Sequence, residues 1–86
     1  TREPWKKLEV KQQGPTIMIS NHTRNIVRLG PQVRLNPIKK NMSLDSLYIL
    51  PGQTKKLENE VQVDSITITP LSRYGLALPP ADIQVE

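Results

Sequence analysis

The sequence predicts an all-β antiparallel sandwich, and three observations predict it. Eight prolines and four glycines fall at Gly14-Pro15, Gly30-Pro31, Pro37, Pro51-Gly52, Pro70, Gly75 and Pro79-Pro80. They leave no proline-free window that also carries helical periodicity. Between these breaks the apolar residues alternate with polar ones and are rich in β-branched types, the pattern of strands with one face buried. The runs are short and recur at the spacing of a sandwich or barrel.

Taken in order, the segment around Trp5 to Val10 opens the pattern. Ile17 and Ile19 then share one side of the first clear strand, and Val27 and Leu29 do so in the next. Val33 and Leu35 follow the Gly30-Pro31 bend, and Leu47 and Ile49 precede Pro51. Ile66 and Ile68 face one way while Thr67 and Thr69 face the other. Leu76 and Leu78, with Ile83 and Val85, make a last strand broken by Pro79-Pro80. About seven strands result, with Ile17, Ile19, Val27, Leu29, Ile66 and Ile68 expected to point inward. The stretches Asn36 to Ser46 and Leu57 to Asp64 read as the two longest loops. Phe is absent and the single Trp is Trp5, so the core must be aliphatic, with Trp5 packed on it or on a linker.

Eighty-six residues make one small domain with one core, burying roughly 60 to 65% of the surface of the unfolded chain. No cysteine is present and His22 is the one histidine. Disulfides, the usual zinc sites and the Cys or His catalytic pairings are therefore missing, and no catalytic, metal or cofactor site is expected. Asp45, Glu58, Glu60 and Asp64 are acidic, but no Asp-x-Asp-x-Asp-Gly loop joins them into a calcium site. The longest apolar run is four residues, so membrane insertion is not expected. The chain begins with Thr and shows no signal-peptide order, which reads as a processed or excised start.

Charge divides unevenly. Residues 1–56 hold eleven Lys and Arg against three acids, and residues 57–86 hold one against five, giving +8 and −4, with a net charge of +4. The basic residues stand singly or in pairs (Lys6-Lys7, Lys39-Lys40, Lys55-Lys56) without interleaved aromatics on which bases stack, so a solvated surface is favoured over a nucleic-acid face. A small basic barrel or sandwich that binds nucleic acid, and an adhesive structural module, stay open as alternatives at this point.

Three segments in order resemble the C-terminal domain of a periplasmic pilus (fimbrial) chaperone of the chaperone-usher type. Ile19-Ser20-Asn21-His22-Thr23-Arg24-Asn25-Ile26-Val27-Arg28-Leu29 is similar to the family's strand, Asn-x-Thr turn and next strand, without the two tyrosines usual near Asn25 and Ile26. Leu50-Pro51-Gly52-Gln53-Thr54-Lys55-Lys56-Leu57 resembles the Pro-containing entry to the strand after the long loop. Ile66-Thr67-Ile68-Thr69-Pro70-Leu71-Ser72-Arg73-Tyr74-Gly75 stands where the family has an alternating strand leading into an Asn-Asp-Tyr-Gly corner. Arg2-Glu3-Pro4-Trp5 is similar to the end of the interdomain linker.

The resemblance implies that residues 1–86 form an immunoglobulin-like sandwich, domain 2 of a two-domain periplasmic chaperone, with residues 1–5 a linker remnant. It implies a non-enzymatic role, with no cofactor, in folding and assembling pilus subunits. The chain would form one wall of the subunit-binding cleft beside its own N-terminal domain. The partners implied are pilus subunits and the outer-membrane usher, reached through the full-length chaperone, and neither nucleic acid nor inserted membrane. Strand donation belongs to the N-terminal domain and leaves the carboxylate-binding basic residues there or in the adjoining cleft.

Within the resemblance, Ser72, Arg73 and Tyr74 are the candidates for the domain junction. Arg73 stands where the family has an acid in an interdomain ion pair, so either the pairing is reversed or the corner is only a turn built on Gly75. A corner tyrosine can also bond back to the main chain. Asn21-His22-Thr23 and Asn41-Met42-Ser43 fit the glycosylation sequon, which a bacterial periplasmic chain would not use. Asn21 is instead expected to be a turn residue bonded to its own backbone, with His22 exposed beside it.

Overall fold

In the computed structural model, which describes residues 4–44, 48–72 and 74–86, two antiparallel layers enclose an aliphatic core. Among the described residues a 3-10 turn, Pro4–Lys7, leads into nine strands: β1 Leu8–Gln13, β2 Thr16–Asn21, β3 Val27–Arg28, β4 Gln32–Asn36, β5 Lys40–Ser43, β6 Tyr48–Ile49, β7 Thr54–Glu58, β8 Ser65–Ile68 and β9 Ala81–Gln84. One layer has the order β1-β2-β7 and the other the order β5-β4-β8-β9, with β3 paired to β6. β3 and β4 continue one extended run across Gly30-Pro31. They stay aligned with β8 and the residues after it, since Gly30 N donates to Thr69 O at 2.7 Å and Leu71 N to Arg28 O at 2.8 Å. The parallel bridge of Val10 with Val85 ties the last strand to the first.

The period-two reading holds at each inward residue named from sequence. Ile17, Ile19, Val27, Leu29, Ile66 and Ile68 are fully buried, together with Val10, Val33, Leu35 and Ile49. The register follows from this pattern. Leu35 lies opposite Ile66, and Ile66 opposite Ile83, so a one-residue slip would carry aliphatics into water. Trp5 is half-buried and packs on this cluster, as expected of it.

The structure corrects some boundaries. The stretch from Asn36 to Ser46 is not wholly a loop, because β5 forms inside it and pairs with β4. Its alternation escapes notice because Met42 is its one apolar residue on the inner face. The Leu57 to Asp64 segment begins within β7, where Leu57 pairs with Ile17. Leu76 is 67% exposed and starts no core strand; the last strand begins after Pro79-Pro80, at Ala81. Leu47 and Asp45 lie outside the described residues.

The two ends of the sandwich are closed differently. At one end gather the Pro4–Lys7 turn, the 22–26 turn, the 50–53 turn and the segment 71–78. There Asn21 is fully buried. Its Nδ2 donates to Ile49 O at 2.9 Å and Asn25 O at 2.8 Å, while its Oδ1 accepts from Thr23 N at 2.9 Å and Thr23 Oγ1 at 2.6 Å. Its main chain exchanges bonds with Gln53 O and Gly52 N. At the other end lie the turns at Gly14-Pro15, 37–39 and 59–64. Gln12 is the clasp there: its Nε2 donates to Val61 O at 3.0 Å and its Oε1 accepts from Val63 N at 2.9 Å.

Asn21→Ala should cost about 2 to 3 kcal/mol in urea unfolding, because it strands buried donors and acceptors. Asn21→Asp should cost more at pH 7, since it aims a buried carboxylate at two carbonyls. Burial raises that acid's folded pKa, so its penalty is present above the unfolded value and should fade below about pH 4. Equal stability of Asn21→Ala and the native chain would refute the role given to this amide.

Candidate functional site

The segment singled out from sequence forms a tight hairpin. Leu71 bridges Ala77, Ser72 N donates to Leu76 O at 2.8 Å, and Gly75 N donates to Ser72 O at 2.9 Å. Gly75 has φ +81°, a left-handed conformation that strains any residue with a Cβ, and hairpin loops of this length place glycine there. Ser72 Oγ accepts from Tyr74 N and Leu76 N, each at 3.2 Å. Ser72 is thus half-buried and committed to the turn. Tyr74 is 80% exposed, so its ring projects into solvent and is not tucked under the corner. Arg73 lies outside the described residues.

The hairpin does not stand alone. Cross-strand neighbours in a sheet point to the same side. Arg28 lies opposite Tyr48, and the antiparallel bridge of Leu29 with Pro70 places Arg28 beside Leu71, which in turn bridges Ala77. One row therefore runs Tyr48, Arg28, Leu71, Ala77 on the outer side of the sheet. Val27 pairs with Ile49, so Ile26 and Leu50 occupy the next positions of the same side. Ile26, Tyr48 and Leu50 are all exposed. With Tyr74 and Leu76 nearby, they make a face that is apolar and solvent-facing around one guanidinium.

Further down the same sheet the outer side turns polar. Gln32 and Arg34 of β4, Asn41 of β5 and Thr67 and Thr69 near β8 line a shallow groove. Asn36 Nδ2 donates to Thr67 Oγ1 at 2.9 Å, and Thr67 Oγ1 donates to Asp82 Oδ1. The outer side of the other layer is polar as well: Ser20 and Thr54 share a hydrogen bond at 2.9 Å, and Glu9 sits 3.5 Å from Lys11 and 3.4 Å from His22. Ile38 and Val61 are exposed singly in the turns of the opposite end; the apolar row built by strand register lies at the β3-β6 end of one sheet.

No cluster of three potential metal ligands occurs among the described residues. None of their helices is long and apolar enough to cross a membrane. The Asn21 sequon is closed to modification because both ends of its amide are already bonded inside the fold, as the turn reading of that residue anticipated. Sequence reasoning found the hairpin but missed Ile26, Arg28, Tyr48 and Leu50. A signal for them existed: Ile26 and Leu50 are aliphatic yet sit out of phase with the buried Val27 and Ile49, on the side where the strand pattern calls for polar residues.

Over 76 residues, 86% of its length, the chain is 36% identical to a protein of Escherichia coli (strain K12) described as the uncharacterized fimbrial chaperone YhcA. It spans about a third of that protein, 34% of its length. No protein-family model matches the chain, and no solved structure matches it significantly.

Ser72→Ala should remove the acceptor shared by Tyr74 and Leu76 and cost about 1 kcal/mol locally. Hydrogen exchange at these two amides should speed severalfold while the core amides of Ile19 and Ile66 keep their protection. Unchanged exchange at Leu76 would show that the hydroxyl does not hold the corner.

Proposed function

From the chain's relationship to the fimbrial chaperones, we propose that it is the C-terminal domain of a periplasmic chaperone that assists the folding and assembly of pilus subunits without catalysing a reaction. The observation that carries the reading is the exposed face of Ile26, Tyr48 and Leu50, with the half-buried Leu71 in the same row, set beside the Ser72–Gly75 hairpin. A solvated domain has no use for such a cluster unless another surface covers it for part of its working cycle. The segments that resemble the family, including the Asn21 turn and the hairpin, converge on this one end. Trp5 and its turn pack there too, next to β3, where the resemblance would place the linker. The face then forms one wall of the subunit-binding cleft, and Ser72, Arg73 and Tyr74 sit at the junction with an N-terminal domain. In this reading Arg73 faces an acidic group of that domain.

The chain's own strands fit a supporting role better than a donating one. Strand donation needs a long exposed segment whose alternate apolar side chains fill successive pockets. Here the alternating aliphatics of β2, β4 and β8 are all buried in the domain's own core, and each run ends at a proline or a turn. The usher and the pilus subunit would meet the chain only as part of the longer chaperone.

In co-refolding at equal concentration, this chain alone should leave an unfolded pilus subunit aggregating, while the same chain joined to an N-terminal strand-donating domain should keep it soluble. Tyr48→Asp in the joined protein should lower the yield of soluble subunit severalfold, well beyond what any change in its thermal midpoint accounts for. Rescue by the chain alone would overturn the assignment of roles, and full activity of Tyr48→Asp would remove this face from the cleft.

A further inference from the structure

We infer that the apolar face selects an acidic partner: an extended protein segment whose apolar side chains lie on Ile26, Tyr48 and Leu50 and whose carboxylates meet Arg28. The inference rests on the proposed cleft and adds the charge of what enters it. Arg28 emerges in the middle of the apolar row, flanked by Tyr48 on β6 and by Leu71. Its guanidinium has no ion pair or side-chain hydrogen bond among the described residues, while its carbonyl accepts from Leu71 N at 2.8 Å. Lys7, in the turn packed beside β3, and Arg24, in the 22–26 turn, are exposed at the same end.

The described carboxylates lie elsewhere. Glu9 is on the outer side of the other layer beside Lys11 and His22, and Asp82 on β9 is taken up by Thr67. Glu58 pairs with Thr16, and Asp64 N donates to Asn36 O, which places both, with Glu60 and Glu86, toward the opposite end of the sandwich. A guanidinium surrounded by aliphatic and aromatic carbon is desolvated when that carbon is covered. The cost is recovered only if the covering surface brings a carboxylate within hydrogen-bonding range. A neutral or basic apolar segment would bury Arg28 unpaired, and like-charge contact is the stronger penalty. The face therefore discriminates by charge as well as by shape. Nucleic acid is disfavoured as the occupant because, among the described residues, Arg28 stands alone in the middle of the apolar row and no basic track for successive phosphates runs along it.

The test is a titration of the isotopically labelled chain, followed by NMR, with two synthetic peptides of alternating valine and threonine, one flanked by glutamates and one by lysines. A single-stranded oligonucleotide is the third probe. The glutamate peptide should shift the amides of residues 26–28 and 48–50 and bind at least about tenfold more tightly than the lysine peptide. Raising the salt from about 50 to about 500 mM should erase most of that preference. Arg28→Glu should invert the preference, and Arg34→Glu, lower on the same sheet, should leave it intact. Equal binding of both peptides, or equal loss in Arg34→Glu, overturns charge selection by Arg28 while leaving the cleft in place. Binding of neither peptide, with Tyr48→Asp also inert in co-refolding, removes the cleft itself. Tighter binding of the oligonucleotide at the higher salt overturns the protein occupant.

Discussion

The fold depends on one side-chain amide. The 22–26 turn, the end of β6 and the 50–53 turn all converge on Asn21. An asparagine offers two donors and an acceptor in one plane, and here each finds a main-chain or hydroxyl partner inside the sandwich. The amide thereby does for this end what a disulfide does in other small sandwiches: it fixes the separation of chain segments that lie 28 residues apart in sequence. Thr23 completes the arrangement, since its hydroxyl donates to Asn21 Oδ1 and accepts from Asn25 N. The Asn-x-Thr pattern is therefore a packing device, and its sequon form is incidental.

A second amide pair closes the opposite end, with a different consequence. Gln12 on β1 and the buried Asn59 hold the 59–64 segment by its main chain, with Asn59 Nδ2 donating to Val61 O at 2.7 Å and Lys40 reaching Asn59 Oδ1 at 3.3 Å. This end spends its polar groups on itself. The Asn21 end spends its polar groups inside the fold, which leaves carbon and uncompensated positive charge on the outside. The asymmetry between the ends is what singles one of them out for the proposed cleft.

How much of this was legible in the sequence depended on whether an element carried its own signal. β2, β3, β4 and β8 announced themselves because β-branched residues alternate there against a single core, and the breaks at proline and glycine bounded them. β5 did not, because an edge strand needs few apolar residues: Lys40, Asn41 and Ser43 face solvent and only Met42 touches the core. Leu76 and Leu78 misled for the reverse reason, being apolar where the chain leaves the core. The hairpin's position was readable from Gly75, whereas the Ile26, Arg28, Tyr48 and Leu50 face required a register between segments about twenty residues apart, which alternation within one strand does not contain.

The excess of positive charge in the first two thirds of the chain also resolves in three dimensions. Lys11 and Lys56 flank Met18 across the outer side of the three-stranded layer, where their stems cover a half-buried thioether. Lys40 is drawn to Asn59, and Arg34 stands on a polar sheet face. What reads as a +8 segment is thus dispersed over several surfaces, and among the described residues no continuous track of cations forms along which phosphates could run. A charge that is weak as a total becomes specific where it is local. Of these cations, Arg28 is the one the register sets in the middle of an exposed apolar row, and there a single guanidinium decides what the surrounding carbon can be covered by.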